Sequence, residues 1–344
     1  MNHELPAIGV VIIGINVERY LADCIHSVQA SHYPQELLTI VYVDGGSRDT
    51  SVAVAKDIEG VTVVELDDVH PTPGRGRNAG WKIADTPFIQ FLDADTLVDP
   101  DWFSKALGHI NGRTVAVCGR RRERDRERNL FHAITDMEWI YETGPCRYFG
   151  GDVLIKREVL EATAGFDEAL VAGEDPELSY RVRQLGFQIL RIDIPMTLHD
   201  INMSSWSQYF RRAYRSGYAY AEIGMRFIRN RERLWLRELA RIVIRAVAPP
   251  AVIFAGYLTG FKTPGIILGL LVLLRPILRM GNLLKTFGQT RTMTFAYACH
   301  SILVIYPQFL GIARYFWGKF NDAPLQNQGV ADRPLEDSPA EGSS

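Results

Sequence analysis

The sequence predicts an α/β protein with a mostly parallel central sheet flanked by helices, followed by a C-terminal helical membrane region. Short apolar, β-branched runs alternate with helical patterns, which is typical of parallel βαβ units. Polar, glycine-rich clusters follow three of these runs, where the carboxyl edge of such a sheet would lie. Long apolar stretches after Arg241 predict the membrane region.

The predicted strands are runs of β-branched and other apolar residues that can be buried on both faces of a sheet. Between them, Leu21, Ile25 and Val28 share one face of a helix, and a second helix is predicted from Thr50 to Asp57. A further helix begins near Asp101. The strand runs are Ala7 to Ile15, Leu37 to Val43, Val61 to Leu66, Phe88 to Leu92, and Thr114 to Arg120.

Composition limits the function classes. A formal net charge of -2 in 344 residues gives no reason to expect a nucleic-acid partner. The four cysteines show no C-x-x-C spacing, which disfavours a zinc site or a disulfide framework and suits a reducing compartment. No basic segment precedes the first predicted strand, so no signal peptide is expected.

The fourth strand run ends in two carboxylates one residue apart, Asp93 and Asp95. Two such charges repel unless a cation lies between them. Carboxylate oxygens suit Mg²⁺ or Mn²⁺, which proteins bind with one or two carboxylates together with substrate phosphates. The alternative is an aspartate-rich turn that caps the next helix.

Two other clusters follow or precede predicted strands. Asp44 is followed by Gly45-Gly46 and can accept hydrogen bonds from a base or ribose, while the glycines let the backbone approach a ligand closely. Arg77 follows Gly74 and Gly76, and its guanidinium offers paired donors to a diphosphate. The alternative for each cluster is a tight turn or a helix N-cap. The glycine spacing is not G-x-G-x-x-G, so a dinucleotide-binding fold is not predicted.

Glu174 and Asp175 precede a predicted helix that has Pro176 in its first turn. The positive end of a helix keeps a carboxylate ionised and ready to accept a proton, although Asp175 can also act simply as the cap. Arg181, on the same helix, is expected to pair back to these acids. His199 follows a strand-like segment and is either structural or a third metal ligand.

The run from Arg120 to Arg128 mixes charges of both signs with a net positive charge. Such runs are mostly solvated faces or mobile loops. The alternative is a loop that covers an anionic acceptor.

Taken together, these motifs resemble the family 2 glycosyltransferases, which are inverting nucleotide-sugar enzymes of the GT-A fold. The resemblance covers about Ile8 to Tyr220, and it depends on the order and spacing of the motifs. The motifs are Asn16-Val17-Glu18, Asp44-Gly-Gly-Ser-Arg-Asp, Arg75-Gly-Arg-Asn-Ala-Gly, Asp93-Ala-Asp95, Gly150-Gly-Asp with Gly165-Phe166-Asp167, and Glu174-Asp175.

The resemblance implies a role for each matched residue. Asp175 is expected to be the general base, with Glu174 beside it. Asp95 is expected to bind Mn²⁺ or Mg²⁺, with His199 where some members place an additional ligand. The implied donor-binding residues are Asn16, Glu18, Asp44, Gly46, Arg77 and Asp93, and the implied acceptor-binding residues are Gly151 and Asp152.

Two departures from the family pattern bear on function. The acidic pair usual after the second strand is Asp-Gly here, which leaves Asp44 alone. The Q-x-x-R-W motif of processive polysaccharide synthases appears as Gln208-Tyr-Phe-Arg-Arg212 without the tryptophan. A single sugar transfer is therefore expected. The alternatives are a processive synthase, a non-catalytic subunit of a polysaccharide export complex, and a soluble nucleotidyltransferase.

The last third of the chain predicts membrane attachment. Arg233, Arg237, Arg241 and Arg245 recur every four residues, so residues 231–245 predict a basic amphipathic helix at anionic headgroups, with a solvated helix as the alternative. Residues 246–320 hold two or three membrane-embedded helices, from the apolar stretches Ile242 to Phe261, Pro264 to Leu274 and Thr294 to Ala313.

The expected order is a catalytic domain over residues 1–230, the two membrane segments, and a disordered acidic tail over residues 321–344. Lys285 and Arg291 place the loop between the last two apolar stretches in the cytoplasm. The expected location is the cytoplasmic face of the cell membrane. The expected partners are a nucleotide-diphosphate sugar, membrane lipids, and a lipid-linked or membrane-proximal acceptor.

Overall fold

The structure is a computed structural model that describes residues 5–67, 70–280, 282 and 288–326. It divides into two compact units. The first holds the chain as far as Cys118 together with Pro145–Leu190, and the second holds Gly119–Gly144 and Arg191–Leu325. The predicted tail from residue 327 onward and Lys285 lie outside the described residues.

Strands and helices alternate through the first half of the chain, and helices follow one another after the last strand. The strands are β1 (Ile8–Gly14), β2 (Leu38–Asp44), β3 (Val61–Glu65), β4 (Phe88–Asp93), β5 (Thr96–Val98), β6 (Thr114–Glu123), β7 (Gly144–Cys146), β8 (Val153–Lys156) and β9 (Gln188–His199).

The helices are α1 (Glu18–Gln29), α2 (Ser51–Asp57), α3 (Pro73–Ile83), α4 (Trp102–Leu107), α5 (Leu130–Glu138), α6 (Arg157–Thr163), α7 (Glu174–Gln184), α8 (Trp206–Arg226), α9 (Leu236–Leu258), α10 (Lys262–Leu273), α11 (Arg275–Leu278), α12 (Arg291–Leu303) and α13 (Ile305–Phe320). A short 3₁₀ helix, Gln35–Leu37, precedes β2.

The sheet of the first unit runs in the order β3-β2-β1-β4-β8-β6. β1 pairs in parallel with β2 and β4, and β2 pairs in parallel with β3. β8 is antiparallel to both β4 and β6. The predicted parallel sheet is therefore confirmed for the first four strands, and β8 makes the whole sheet mixed.

The parallel strands form the core because their residues are apolar on both faces. Val10, Val11 and Ile12 of β1 and Phe91 and Leu92 of β4 are each 0% exposed. The carboxyl ends of β1, β2 and β4 lie at one edge, where Gly14 is in register with Asp44 and Ile13 with Asp93. This edge brings together three of the polar clusters that the sequence singles out.

Two stretches singled out by the sequence have a defined structure. The glycine-rich stretch after Thr72 lies in α3, which begins at Pro73, and the Thr72 hydroxyl caps this helix by accepting a hydrogen bond from the Arg75 amide. The charged run that begins at Arg120 is partly strand, since β6 continues to Glu123. Arg122 there donates two hydrogen bonds to the buried carboxylate of Asp136, so its charge has a fixed partner.

The second unit has a helical core in which α8, α9 and α13 pack together. The buried residues of this core are Ala221, Leu239, Ile242, Ala246, Ile305 and Ile312. α9 begins at Leu236, whereas Arg233 has a φ of 47° and lies before the helix. Arg233 therefore does not share the basic face that the sequence predicts for Arg237, Arg241 and Arg245.

Two helical segments are long and apolar enough to cross a membrane, judged by length and composition alone. They are Leu236–Leu258, with a mean hydropathy of 1.6, and Arg291–Phe320, with a mean hydropathy of 1.4. The apolar helix Lys262–Leu273 is shorter. These segments match the three apolar stretches of the sequence.

Candidate active site

Asp44 ends β2 and holds the loop that follows. Its buried carboxylate accepts hydrogen bonds from the Tyr42 hydroxyl and from the amides of Gly46 and Ser47. Gly46 has a φ of 98°, a conformation that favours glycine. In these contacts Asp44 stabilises the turn after β2, as the alternative interpretation predicts. Its contact with a nucleotide base stays a prediction.

Asn16 and Glu18 join the end of β1 to the same loop. The Asn16 side-chain oxygen accepts a hydrogen bond from the Arg48 amide at 2.9 Å. The Glu18 carboxylate accepts hydrogen bonds from the amide and hydroxyl of Thr50, which fixes the start of α2. Both residues are exposed. The structure thus brings Asn16 and Glu18 to the carboxyl edge beside Asp44.

Arg77 lies at the centre of an acidic cluster in the first unit. Its guanidinium is 3% exposed and donates to Glu174 at 2.6 Å and to Asp93 at 2.9 Å. Asp175 lies 3.5 Å from the same nitrogen that contacts Glu174. Three carboxylates thus surround one guanidinium, so negative charge is in excess at this point of the sheet edge.

The electrostatics of Arg77 follow from this arrangement. Burial by itself would lower the pKa of Arg77, but the carboxylates of Asp175, Asp93 and Glu174 raise that pKa well above its ordinary value. The Phe166 ring also lies 5.4 Å from the guanidinium carbon, a cation–π distance. Arg77 therefore stays charged and positions the acids. Its contact with a diphosphate stays a prediction.

The D-x-D sequence forms the turn between β4 and β5. The Thr96 hydroxyl donates to the Asp93 carbonyl at 2.7 Å and closes this turn. One carboxylate oxygen of Asp93 and one of Asp95 lie within 4.8 Å of each other. Two carboxylates at that separation fit a hard divalent cation such as Mg²⁺ or Mn²⁺. The donor set present therefore matches the predicted metal.

Gly151 and Asp152 also lie at this turn. The Asp93 amide is 3.4 Å from a carboxylate oxygen of Asp152, which is 1% exposed. A Cβ at Gly151 would be 2.7 Å from an Asp93 carboxylate oxygen and 2.9 Å from the Arg77 guanidinium. Position 151 therefore has no room for a side chain while these two groups keep their places. The predicted acceptor contacts of Gly151 and Asp152 remain untested.

The start of α7 differs from the sequence expectation. Gly173, with a φ of 91°, is the N-cap, and Glu174 and Asp175 are the first two residues of the helix. Asp175 is therefore not the cap. Arg181 does not pair back to these acids either, since it contacts Glu177 at 2.7 Å. Their cationic partner is Arg77.

The amino-terminal part of the chain matches a known protein family. Residues 9–166 match the family model described as Glycosyl transferase family 2. These residues form a family 2 glycosyltransferase domain. The family resemblance of the sequence motifs is thereby confirmed.

Two curated proteins are similar to a large part of this chain. The O-antigen chain rhamnosyltransferase RfbN of Salmonella typhimurium is 24% identical over 261 residues, covering 67% of this chain and 82% of RfbN. The glycosyltransferase AglE of Haloferax volcanii is 22% identical over 199 residues, covering 55% of this chain and 65% of AglE. Both relatives are named as glycosyltransferases, in agreement with the family match of residues 9–166.

A solved structure shares the fold. The mannosyltransferase PcManGT from Pyrobaculum calidifontis, in complex with GDP-Man and Mn²⁺, gives a TM-score of 0.63 at 16% identity. The likeness covers 91% of this chain and 88% of PcManGT. The GT-A fold expected of the family 2 domain is thereby confirmed.

His199 ends β9 and belongs to the second unit of the glycosyltransferase. Its ring packs edge-on against Trp139 at 5.0 Å between ring centroids, and its carbonyl accepts a hydrogen bond from the Arg124 amide. These contacts with Trp139 and Arg124 agree with a structural role for His199 within its own unit. Its role as a metal ligand stays a prediction.

Sequence reasoning missed residues that hold the glycosyltransferase site together. Tyr42 was treated only as part of a strand, although it lies two residues before Asp44 and so on the same side of β2. Asn78 donates to the Phe166 carbonyl and accepts from the Phe166 amide, both at 2.9 Å. Asn78 thereby links α3 to the loop that contains Phe166, and the Phe166 ring lies against Arg77. Alternation along the strand could have found Tyr42, but no local signal pairs Asn78 with Phe166.

Proposed function

We propose that the protein is an inverting, metal-dependent glycosyltransferase that moves a sugar from a UDP-linked donor to a lipid-linked or membrane-proximal acceptor. The observation that carries the proposal is the excess of carboxylates around Arg77, next to the D-x-D turn and the start of α7. Such a cluster serves two needs of the reaction, which are to hold a cation and to accept a proton.

The donor would bind at the carboxyl edge of the parallel strands. Asp95, with Asp93, would hold Mn²⁺ or Mg²⁺, and His199 is the proposed third ligand. When bound, that cation would stabilise the negative charge of a leaving nucleoside diphosphate. Asn16, Glu18, Asp44 and Gly46 would contact the nucleoside, and Arg77 the diphosphate. Support comes from PcManGT, which forms a complex with a nucleotide sugar and Mn²⁺.

Asp175 is the proposed general base. An acceptor hydroxyl must lose its proton as it attacks the sugar, and a single displacement inverts the anomeric carbon without an enzyme nucleophile. Asp175 is partly exposed, with 16% of its side chain accessible, whereas Glu174 beside it is buried against Arg77. Glu174 would therefore position Arg77, while Asp175 would face the acceptor. Gly151 and Asp152 complete the proposed acceptor side.

The proposed acceptor is attached to, or close to, a membrane. Support comes from the exposed apolar helices of the second unit and from RfbN, a rhamnosyltransferase of the O-antigen chain. A cytosolic donor would put the catalytic residues on the cytoplasmic face. Gln208 accepts hydrogen bonds from the amides of Ser204 and Ser205 as part of a capping box, so a capping role accounts for its place in the shortened Q-x-x-R sequence. This supports a single transfer over a processive one.

The metal assignment is tested by donor binding. Asp95→Asn should abolish the metal-dependent part of UDP-sugar binding, measured by isothermal titration with Mn²⁺ and with chelator. Asp101→Asn is the matched control, because Asp101 follows Asp95 closely in the sequence and is an exposed acid that contacts His32 and Lys105. Equal binding with Mn²⁺ and with chelator in the unsubstituted protein would refute the assignment.

The base assignment is tested by separating binding from transfer. Asp175→Asn should bind donor normally but lose transfer by about 10²- to 10⁴-fold, the usual contribution of a general base. Transfer is measured with radiolabelled nucleotide sugars and total membrane lipid extract. Asp193→Asn, at an exposed acid that pairs with Arg120, is the control. Transfer retained by Asp175→Asn would remove Asp175 as the base, and release of long polymer would favour a processive synthase.

A further inference from the structure

The α9–α10 hairpin exposes apolar side chains on almost every side. α10 is apolar from Pro264 to its end at Leu273, and its two buried residues are both glycines. A helix that is apolar all round is normally buried in protein or lipid. The exposed apolar residues of the hairpin are Phe254, Tyr257, Leu258, Phe261, Ile266, Ile267, Leu268, Leu270 and Leu271.

Glycines hold the two arms of this hairpin together. A Cβ at Gly265 would be 2.9 Å from the Cα of Gly256 and 3.2 Å from the Val252 carbonyl oxygen. A Cβ at Gly269 would be 2.6 Å from the Ile253 side chain. Close approach through small residues is the way helices pack where the surroundings are as apolar as the side chains. The hairpin is therefore already paired and has its larger apolar side chains turned outward.

Arginines flank the apolar arms at the base of the hairpin. Arg241 and Arg245 lie on α9 before its apolar part, and Arg275 and Arg279 follow α10. Arg275 is close enough to Arg245 for their charges to interact. The two basic ends of the hairpin therefore lie at the same level. In a membrane, the arginines at the base of the hairpin would contact anionic headgroups while the apolar arms would lie among the acyl chains.

Counted from the arginines at the base of the hairpin, and so without the charged first part of α9, the two apolar arms are too short to cross a bilayer. From Arg245 to Leu258, and again from Lys262 to Arg275, each arm spans about 20 Å at the helical rise per residue. The hydrocarbon core of a bilayer is about 30 Å thick, and apolar segments of this length are typical of re-entrant or interfacial structure. We propose that the hairpin enters the membrane from one side without crossing it and returns the chain to the side from which it entered.

Lys262, at the tip, fits this arrangement. Its ammonium lies 4.6 Å from the centroid of the Tyr257 ring, a cation–π distance. The single charged residue between Arg245 and Arg275 therefore has an aromatic partner at the tip.

The second candidate span, Arg291–Phe320, packs against other helices of the second unit. A Cβ at Gly311 would be 2.0 Å from the Tyr214 carbonyl oxygen, so α13 lies directly on the backbone of α8. Near the middle of the segment, His300 accepts or donates hydrogen bonds to Tyr209 at 2.6 Å and to Glu138 at 3.1 Å. Glu138 is itself 3.2 Å from Arg212.

A spanning helix would carry these ionised partners toward the bilayer centre, which is energetically costly. The described part of α12 and α13 is therefore a helix of the second unit, and we place it on the same side of the membrane as α8. The attachment is monotopic. This inference rests on the membrane attachment within the proposed function and on no part of the transfer chemistry.

Cysteine labelling in sealed vesicles tests the topology. The protein, with Cys146 and Cys299 replaced by serine, is inserted from outside into phosphatidylcholine–phosphatidylglycerol vesicles, with a membrane-impermeant maleimide either outside or trapped inside. Single cysteines replace Ser207 on α8, Thr259 at the hairpin tip and Lys319 at the end of α13, all of which are exposed. As a positive control, detergent is then added to dissolve the vesicles, so that every introduced cysteine can react with the maleimide.

The expected result is that external reagent labels positions 207 and 319, that neither reagent labels position 259, and that detergent restores labelling there. Labelling of Thr259→Cys by trapped reagent would mean a spanning hairpin, and labelling of Lys319→Cys by trapped reagent would mean a spanning C-terminal segment. Labelling of Thr259→Cys by external reagent would mean that the hairpin is not embedded in lipid. Each of these three outcomes overturns the proposal.

A charge in the hairpin gives a second readout. Leu268→Glu should lose flotation with the same vesicles, while Leu185→Glu, at an equally exposed leucine of the first unit, should float normally. Donor binding should be unchanged in both variants. Flotation of Leu268→Glu at the unsubstituted level would contradict insertion. Absence of transfer in every protein would refute the proposed function but leave the labelling pattern intact.

Discussion

The two units each contain a cluster of ionised side chains, and the clusters differ in charge balance. In the first unit one arginine, Arg77, faces the carboxylates of Asp93, Glu174 and Asp175. Negative charge exceeds positive charge there. The cluster also lies at the first turn of α7, at the positive end of the helix dipole.

The cluster in the second unit is balanced. Glu138 pairs with Arg212 at 3.2 Å and with His300 at 3.1 Å, and His300 in turn contacts the Tyr209 hydroxyl. Burial by itself would raise the pKa of Glu138, but Arg212 and His300 lower that pKa below its ordinary value. One acid thus meets one permanent cation and a histidine.

The difference separates a candidate site from a structural contact. A balanced group satisfies itself and links α5, α8 and α12. Three carboxylates around one guanidinium would be stabilised by a further positive charge or a proton, and cation binding and base catalysis depend on such groups. Charge excess, rather than burial alone, is the feature that distinguishes the candidate active site.

The largest expected effect is the loss of Arg77. Arg77→Met would leave three carboxylates around an apolar side chain and should lower the free energy of unfolding by about 3–5 kcal/mol, as for other broken buried pairs. Urea unfolding in detergent measures this change. Arg75→Met is the control, because Arg75 is 40% exposed and 3.9 Å from Glu168. A loss in Arg77→Met no larger than in Arg75→Met would show that the acids do not depend on Arg77.

The surplus charge predicts stabilisation by Mn²⁺. Preferential binding to the folded state at 100 times the dissociation constant should add about 2.7 kcal/mol of stability. Thermal unfolding with and without Mn²⁺ measures this effect. Asp93→Asn and Asp95→Asn should remove the response, whereas Glu138→Gln should retain it. A response that persists in Asp95→Asn would place the cation elsewhere.

The balanced cluster predicts a smaller and acid-dependent effect. Glu138→Gln should cost about 1–2 kcal/mol near neutral pH, since a charge-assisted hydrogen bond is lost. Because the folded-state pKa of Glu138 is below its ordinary value of 4.5, its contribution is present above that value and is lost as the pH falls through the lower folded-state pKa. Urea unfolding at stepwise lower pH should show the two proteins converging. A constant difference down to strongly acidic pH would contradict the ion pair.

The smallest expected loss of stability comes from breaking an exposed ion pair. Lys56 and Glu65 lie 2.7 Å apart, with more than half of each side chain accessible. Such pairs contribute about 0–1 kcal/mol. Lys56→Ala should therefore leave the midpoint of urea unfolding almost unchanged. If Lys56→Ala lowered the free energy of unfolding as much as Glu138→Gln does, the size of these losses would not depend on how buried the charged groups are.

Much of the first unit could be predicted from sequence because its signals are local. β1 to β4 begin within one residue of the predicted starts, since β-branched runs bounded by turn residues define parallel strands. The same locality predicted Asp93 and Asp95 together. The turn at Gly173 was missed because a glycine with positive φ and an aspartate N-cap can both begin a helix at this sequence.

The partner of the acids could not be read from sequence. Arg77 and Glu174 are 97 residues apart, and their pairing depends on where α3 and α7 meet the sheet. Helical spacing favoured Arg181 because it is the nearest cation along the chain. The structure gives Arg181 to Glu177 instead, since side chains four residues apart on a helix are neighbours.

The sequence by itself determined the parallel strands, the D-x-D turn after β4 and the apolar character of the last third, because each depends on residue order within one element. Only the tertiary structure decided which cation faces the acids and which apolar helices remain uncovered. Both depend on contacts between distant elements. Gly311 against the α8 backbone covers one apolar segment, whereas the glycines of α9 and α10 leave the hairpin's large side chains exposed.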